Sequence, residues 1–427
     1  MKRTRWLVRV AVVVCSAAIR LGSSSSCVGA DWPMWRHDPQ RSGVTDEQLP
    51  GELHLRWVRQ LPSFETAWPI EPRLQFDASY EPIVADGRLF VGSPLDGSVT
   101  AFDAATGRRL WKFFTEGPVR CAPVAWQGAL YVGSDDGWLY CLEAATGALR
   151  WKIRGVPDDR PDYRHLGNNR LISFWPVRGG PVVVDGVVYF GAGLWPTMGV
   201  FVQAVDAQTG RRIWVNDRIG YLKRVRVDHN ERADVGLSPQ GYCLFVDGKL
   251  VVPSGRSMPA RFDPETGRML YYVQGYRNGD ARVTGAERLL FVGRAGVVNI
   301  DDGREVGSRW AAAGPEAPQG WDGNKRDLFE GPFYGYKFLP GCDFRSVFDG
   351  GIAYGVERGR LFAYDLSQAR ISLYEKKIGG LTIHPARWDA PRLWEPLVLT
   401  EGGTDSTRVC VKAGNRLYTH AKQTVFA

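Results

Sequence analysis

The chain has 427 residues, of which 44% are hydrophobic, 12% aromatic and 23% charged, with 50 glycines. This composition is that of a globular protein and excludes the disordered and collagen-like classes. The formal net charge is +8, but positions 1–30 hold five positive and no negative residues, so the rest of the chain carries only +3. A nearly balanced protein has no electrostatic reason to bind nucleic acid, and we expect no nucleic-acid partner.

The first 30 residues have the pattern of a cleavable signal peptide. Lys2 and Arg3 begin a basic stretch, and the apolar run 8–19 is too short to span a membrane. Small residues at 28–30 predict cleavage before Asp31, leaving a periplasmic or extracellular protein without a transmembrane span. A basic tail without a signal function is the alternative. A lipid anchor on Cys27 is less favoured, because serines stand where a lipoprotein signal has an aliphatic residue.

A nine-residue frame recurs four times along the chain. It reads DAATGRRLW at 103–111, EAATGALRW at 143–151, DAQTGRRIW at 206–214 and DPETGRMLY at 263–271. The acidic residue, Thr-Gly and the aromatic residue keep the same spacing in each copy. A frame repeated in this way indicates a structural repeat, with Thr-Gly forming a tight turn and the aromatic residue starting the next strand.

Alternating apolar segments accompany these frames, as in GRLFVGSPLDGSVTAFD (87–103), and seven such segments occur in all. With the short apolar runs before them, they predict units of four antiparallel strands in about 40 residues. This pattern is typical of an all-β propeller. We expect one domain at 31–427, with a lead-in at 31–52 and blades near 80–117, 121–155, 179–220, 236–275, 279–307, 344–378 and 396–427.

Ring closure is predicted from the two ends of the repeat array. The last repeat reaches Ala427 without an outer strand, whereas LHLRWVRQL (53–61) is an outer-type strand with no inner strands before it. We therefore expect 53–61 to pair with the C-terminal blade and close seven blades, since closure removes exposed strand edges. An eighth blade within 308–343 or 379–407 is the alternative.

The repeats resemble those of the pyrroloquinoline-quinone-like propeller family, whose blades carry the pattern VYVGSxDGxLYALDAxTGxxxW. The segment DWPMWRHDPQRSG (31–43) is also similar to the N-terminal approach of secreted members. The resemblance implies the fold, but not one function. The family includes quinone-dependent alcohol dehydrogenases, a non-catalytic lipoprotein of the outer-membrane barrel-assembly machinery and many uncharacterised exported proteins.

The resemblance to the dehydrogenases implies a disulfide between adjacent cysteines, a tryptophan wall and calcium ligands around the quinone. This sequence has no Cys-Cys pair, no CxxCH motif and no assignable calcium set. Pyrroloquinoline quinone is thus a cofactor only by resemblance, and no other cofactor is predicted. The scattered cysteines also show no metal-ligand spacing, so we predict no metal site and leave their disulfide state open.

Function is expected where the chain departs from repetition. The insertions 63–79, 156–178, 221–235, 308–343 and 379–407 follow outer strands, and 193–199 and 254–259 lie between second and third strands. In an up-and-down blade these two connection types emerge on one face. The polar insertions near blades 3 and 4 therefore predict a loop-rich binding face there.

The candidate ligand-binding residues on this face are mainly arginines, amides and tryptophans, which suit a small anion, a saccharide or a partner protein. Simple capping of the channel by mutual ion pairs is the alternative. The candidates are Arg164, Asn168, Asn169, Arg170, Trp175, Arg178, Trp195, Asn230, Gln240 and Arg256.

An enzyme at the same loops, a hydrolase, lyase or oxidoreductase, is the second hypothesis, with His165, His229 and Asp228 as candidate catalytic residues. Asp228 and His229 are adjacent and do not form a dyad by themselves, so Asp162 or Asp234 would have to orient a histidine. A third hypothesis is a sensor or docking propeller within a longer protein.

Overall fold

The structure is a computed structural model. It describes residues 9–13, 30–167, 169–228, 231–255, 257–272, 279–293, 296–301, 303, 339–373, 376–378, 381–383, 386–399, 408–421 and 424–426. Within these residues the chain forms seven blade-like antiparallel sheets, so the predicted all-β propeller is confirmed.

Blades I and II each consist of four strands in sequential antiparallel order. Blade I contains Ile83–Ala85, Arg88–Ser93, Ser98–Asp103 and Arg109–Phe114. Blade II contains Val124–Trp126, Ala129–Gly133, Trp138–Glu143 and Leu149–Arg154.

Blades III and IV follow the same order. Blade III contains Gly179–Val184, Val187–Ala192, Phe201–Asp206 and Arg212–Asn216, with Gly241–Tyr242 added in parallel at its inner edge. Blade IV contains Leu244–Val246, Lys249–Ser254, Ser257–Phe262 and Met269–Tyr271.

The remaining blades are less regular in the described residues. Blade V contains Val283–Ala286, Leu289–Val292 and Gly296–Asn299, and blade VI contains Val347–Asp349, Ile352–Glu357, Arg360–Asp365 and Leu397–Val398. Blade VII contains Arg408–Ala413, Arg416–Ala421 and Thr424–Phe426, with Val44–Thr45 parallel to its first strand.

Five two-stranded ribbons and three short 3₁₀ helices complete the described elements. The ribbons are Arg9–Val13 with Leu55–Gln60, Arg164–Gly167 with Arg170–Ser173, Leu222–Asp228 with Glu231–Val235, Arg370–Leu373 with Ala386–Asp389, and Lys376–Ile378 with Leu381–Ile383. The 3₁₀ helices are Pro72–Leu74, Pro196–Met198 and Leu366–Gln368. No helix in the described part of the chain has the length and apolar character needed to cross a bilayer.

The repeated frame packs blade I against blade II, blade II against blade III and blade III against blade IV. Trp111, in the outer strand of blade I, donates from its indole nitrogen to the Ala144 carbonyl at 3.1 Å, and its ring lies against Gly147 in the turn of blade II. Gly147 has a φ of +75°, which favours glycine. The same arrangement joins Trp57 to Gly107, Trp151 to Gly210 and Trp214 to Gly267.

Residues 31–45, here called the axial segment, join the innermost strands of the ring. Their backbone carbonyls or amides pair with blades I, II, IV, V, VI and VII in chain order, and the Arg41 side chain reaches blade III. Trp32 and Val84 exchange two backbone hydrogen bonds, and Arg41 donates to the Pro181 carbonyl. In the other bonds a blade amide donates to an axial carbonyl: Ala125 to Pro33, Phe245 to Pro39, Gly285 to Gln40, Phe348 to Ser42 and Lys412 to Gly43.

The axial segment meets the innermost strands near their middle. Val84 and Phe245, for example, are the central residues of their three-residue strands. The segment therefore lies along the inner edge of the blades.

The predicted partner of strand 53–61 was wrong. Leu55–Gln60 pairs with Arg9–Val13, and the C-terminal blade receives Val44–Thr45 instead. Backbone pairing along a strand edge has little sequence specificity, so the leader of the uncleaved chain can occupy this edge. Trp57 nevertheless contacts blade I, where its indole nitrogen donates to the Ala104 carbonyl at 3.0 Å.

Blade VI also differs from its expected range of 344–378. Its outermost strand is Leu397–Val398, because Arg370–Leu373 turns away and pairs with Ala386–Asp389. A strand that satisfies its backbone in a local ribbon is not available to the blade.

Candidate functional site

The segment 63–79 lies over the channel mouth on the loop-rich face. The Trp68 indole nitrogen donates to Gln240 Oε1 at 3.1 Å, and its ring meets Trp195 edge to face at 5.5 Å. The Ala67 amide donates to Asp77 Oδ2 at 2.9 Å. These contacts fix the segment as a cover and place Gln240 beneath it, with 1% of its surface exposed.

Beneath this cover lies a buried ionic network of two arginines and two aspartates. Arg120 donates to Asp77 and Asp135, each at 2.7 Å, and Arg178 forms two hydrogen bonds of 2.8 Å with Asp135. Burial by itself would raise the pKa of Asp135, but the Arg178 and Arg120 guanidiniums outweigh it and lower that pKa. Arg178, a predicted ligand residue, is thus held inside the protein by charge pairing.

The other described candidate ligand residues near blade III either bind neighbouring protein groups or lie exposed to solvent. Arg164 pairs with Glu116 and Asp162, and Arg170 donates to the Leu95 carbonyl. Trp175 is buried and donates to the Met198 carbonyl at 2.8 Å, whereas Asn169 lies in the exposed turn of the 164–173 ribbon with a φ of +60°. The structure does not bring these side chains together on one pocket.

The candidate catalytic residues form no described acid–base pair. His165 packs edge to face on Phe174 at 4.9 Å, and partial burial lowers its pKa. Asp162 pairs with Arg164, and Asp234 accepts a hydrogen bond from Tyr221. Asp228 ends a strand, but its side chain lies outside the described part of the chain, as do Asn168, His229, Asn230 and Arg256.

A cleft of about 420 Å³ opens between blades III and IV on the loop-rich face. Two kinds of connection meet there, as the sequence predicted: turns between second and third strands, and insertions that follow outer strands. The lining residues are Trp195, Pro196, Thr197, Gly220, Tyr221, Asp234, Val235, Gly236, Ser238, Ser254, Ser257 and Tyr272. This volume is in the range of small-molecule sites, about 300–1,000 Å³.

Glycines shape one wall of the cleft. A side chain on Gly236 would collide with the Gly220 carbonyl and with Pro196, so glycine is required for the two insertions to meet. Pro196 is the first residue of the 3₁₀ helix Pro196–Met198, so its contact with Gly236 packs this helix against the 220–236 connection.

Sequence reasoning found Trp195 in this cleft but missed most of its lining. Ser254, Ser257 and Tyr221 lie in the predicted insertions 254–259 and 221–235, but serine and tyrosine are common in loops and did not stand out beside the arginines and amides. Tyr272 follows the outer strand of blade IV, outside any predicted insertion. The buried ionic network could have been predicted from the adjacent aspartates Asp135 and Asp136. They lie in a turn that has fewer acidic residues in the other blades.

The family model described as outer membrane protein assembly factor BamB matches residues 54–123 and 95–373. The chain belongs to this family of pyrroloquinoline-quinone-like propellers. The sequence is also similar to the quinohemoprotein alcohol dehydrogenase ADH-IIG of Pseudomonas putida, with 32% identity over 201 residues, 44% of this chain and 24% of the relative. The dehydrogenase subunit of the quinone alcohol dehydrogenase of Gluconacetobacter polyoxogenes is 30% identical over 165 residues, 36% of this chain and 21% of the relative.

A similar solved structure shows the same fold, and a second one aligns with a lower score. A europium-containing methanol dehydrogenase aligns with a TM-score of 0.50 and 14% identity, covering 91% of this chain and 81% of that one. BamB of Moraxella catarrhalis aligns with a TM-score of 0.43 and 14% identity, covering 96% and 97%. The chain spans about a quarter or less of the length of the two curated dehydrogenases.

Proposed function

We propose that this chain is an exported binding propeller that holds a small polar ligand in the cleft between blades III and IV. The observation that carries the proposal is the cleft itself, where Trp195 and Tyr221 stand exposed beside Asp234 and several hydroxyl groups. Apolar rings with a few convergent polar groups are the usual composition of ligand sites. The predicted arginine site differs from this cleft, because Arg178 is committed to Asp135.

The basic, then apolar, then small-residue order of positions 1–30 supports export to the periplasm or outside the cell. Mass spectrometry of the protein purified from its host tests this part directly. A mature N-terminus at Asp31 is expected, and a mass that includes Met1 or Lys2 contradicts it.

We do not propose quinone-dependent dehydrogenation for this chain on the basis of its similarity to the dehydrogenases. Cys121, Cys141 and Cys243 are free and buried, and the described part of the chain contains no group of three or more potential metal-ligating His, Cys, Asp or Glu residues. The described residues thus do not supply the groups that the dehydrogenases use around the quinone, and we derive no step through it.

A protein partner on the loop-rich face is the second candidate. The 164–173 ribbon pairs Leu166 with Leu171, and both side chains are largely exposed at 78% and 55%. Exposed apolar pairs of this kind are found at protein interfaces. Replacing both leucines by serine would weaken such a complex without changing ligand binding in the cleft.

A thermal-shift screen tests the proposed ligand site. The wild type is compared with Trp195→Ala and with Phe114→Ala, which removes an even more exposed ring from the outer strand of blade I. A ligand that binds only the native state raises the melting temperature according to its concentration and affinity. We expect the shift to disappear in Trp195→Ala and to persist in Phe114→Ala. Equal shifts in both variants would place the site elsewhere.

A further inference from the structure

We infer that the ligand of the cleft is a neutral saccharide, an inference that rests on the proposed binding function and specifies its ligand class. Three features of the lining carry it: the free aromatic surfaces, the arrangement of hydroxyl groups, and the balance of charge. Each is a property of described side chains.

The aromatic surfaces are held in position and left open. Trp195 is 49% exposed although its ring contacts Trp68 edge to face, an orientation that leaves a face of the Trp195 indole uncovered. Tyr221 is 62% exposed and its hydroxyl is fixed by Asp234 at 2.6 Å. Aromatic rings that are fixed in position and exposed to solvent present a flat apolar surface, which suits the C–H face of a pyranose.

The floor of the cleft supplies hydroxyl groups. Ser254 and Ser257 are both buried at the turn between the second and third strands of blade IV, and the Ser257 hydroxyl makes a long hydrogen bond of 3.4 Å to the Ser254 carbonyl. The Tyr272 hydroxyl, 3.4 Å from the Gly236 carbonyl, lies in the same lining. Hydroxyls donate and accept, so they match ligand groups that do the same.

The charges at the cleft are mixed in sign. Asp234 is the one formally charged residue among the described lining side chains, and hydrogen bonds from Tyr221 and the Arg224 amide lower its pKa, so it is ionised at neutral pH. Lys223 and Arg224 lie close enough to lower the Asp234 pKa electrostatically, so positive charge stands beside the carboxylate. An anion would meet the carboxylate and a cation would meet the two basic residues, whereas a neutral ligand is repelled by neither.

Isothermal titration calorimetry and saturation-transfer NMR test this inference, with protein expressed as the full chain. The probes are glucose, mannose, N-acetylglucosamine, maltose and cellobiose as neutral sugars, with inorganic phosphate and glucuronate as anions and choline as a cation. We expect at least one neutral sugar to bind. Its affinity should fall about tenfold or more in Trp195→Ala, recover largely in Trp195→Phe, and stay within about twofold in Phe114→Ala.

The outcomes separate the two levels of the proposal. Binding of phosphate, glucuronate or choline alone, lost in Trp195→Ala, overturns the saccharide inference and leaves the binding site standing. Sugar binding that is unchanged in Trp195→Ala overturns the assignment to the cleft. If none of the probes binds and a wider screen finds no Trp195-dependent ligand, both the inference and the proposed function fail. Circular dichroism of each variant confirms that it folds.

Discussion

The Arg41 guanidinium donates a hydrogen bond of 2.6 Å to the Cys243 carbonyl at the centre of the ring. The same guanidinium donates to the carbonyls of Trp35 and Pro181, and the whole residue is inaccessible to solvent. Burial lowers the pKa of Arg41 to about 10, which leaves it charged at neutral pH. One side chain of the axial segment therefore joins blades III and IV.

Replacing Arg41 by alanine should destabilise the propeller by about 3–5 kcal/mol, because two buried carbonyls and one partly buried carbonyl lose their donor. Arg108→Ala, at an exposed position of the first frame turn, is the matched control and should change stability by less than about 0.5 kcal/mol. Urea unfolding followed by tryptophan fluorescence gives both values. Equal stabilities for the two variants would contradict the role of the axial segment.

The contact between Trp111 and Gly147 should contribute to stability by packing blade I against blade II. A Cβ on Gly147 would lie 2.7 Å from the Trp111 ring, at a φ of +75°. Gly147→Ala should cost about 3–4 kcal/mol, combining backbone strain with the clash. Gly87→Ala has a similar φ of +69° and open space, so it should show the strain alone, about 1–2 kcal/mol. Identical losses in thermal melts would mean that the ring contact contributes nothing.

Arg178 and Arg170 provide a second matched pair. Arg178→Ala leaves the buried carboxylate of Asp135 with only Arg120, so we expect a loss of about 3–5 kcal/mol in unfolding free energy. Arg170→Ala removes an exposed contact with the Leu95 carbonyl and should cost less than about 1 kcal/mol. Neither variant should change the affinity of a cleft ligand. If the folded Arg178→Ala variant alone lost ligand binding, the ligand site would lie at the channel mouth and not in the cleft.

The recurring parts of the molecule were predictable from sequence because each repeat forms the same hydrogen bonds between residues close together in the chain. Asp103 accepts hydrogen bonds from the Thr106 amide and hydroxyl, and this local geometry follows from DxxTG wherever it occurs. The position of Trp57 against Gly107 could be predicted in the same way.

The unique parts were not predictable, because their partners are distant in the sequence. DWPMWRHDPQRSG was recognised as a family-like segment, yet its pairing with successive blades emerges only when the ring is assembled. Arg178 looked like a ligand residue until Asp135, 43 positions earlier, was found beside it. The cleft likewise depends on how closely Gly220 and Gly236 approach.

Glu81 gives the protein a pH-dependent stability. Burial raises its pKa from 4.5 to about 7, against the opposing effects of Ser79, Arg36 and Trp35. A raised carboxyl pKa means that the native state holds the proton more tightly, so stability falls as pH rises from about 4.5 to 7. Glu81→Gln should remove this slope and stabilise the protein at pH 8 by about 1–3 kcal/mol, the lower end reflecting partial exposure of the side chain. Chemical denaturation between pH 4 and 8 gives the comparison, and an unchanged slope would contradict it.

Hydrogen–deuterium exchange locates the ligand most directly. The protein is measured with and without the neutral sugar that gives the largest melting shift, and peptides covering 193–199, 220–238 and 254–259 are compared with those covering the frame turn at 103–111. We predict slower exchange at the three cleft segments and no change at the frame turn. Protection confined to the channel segments 63–79 and 31–45, with none at the cleft, would contradict the account.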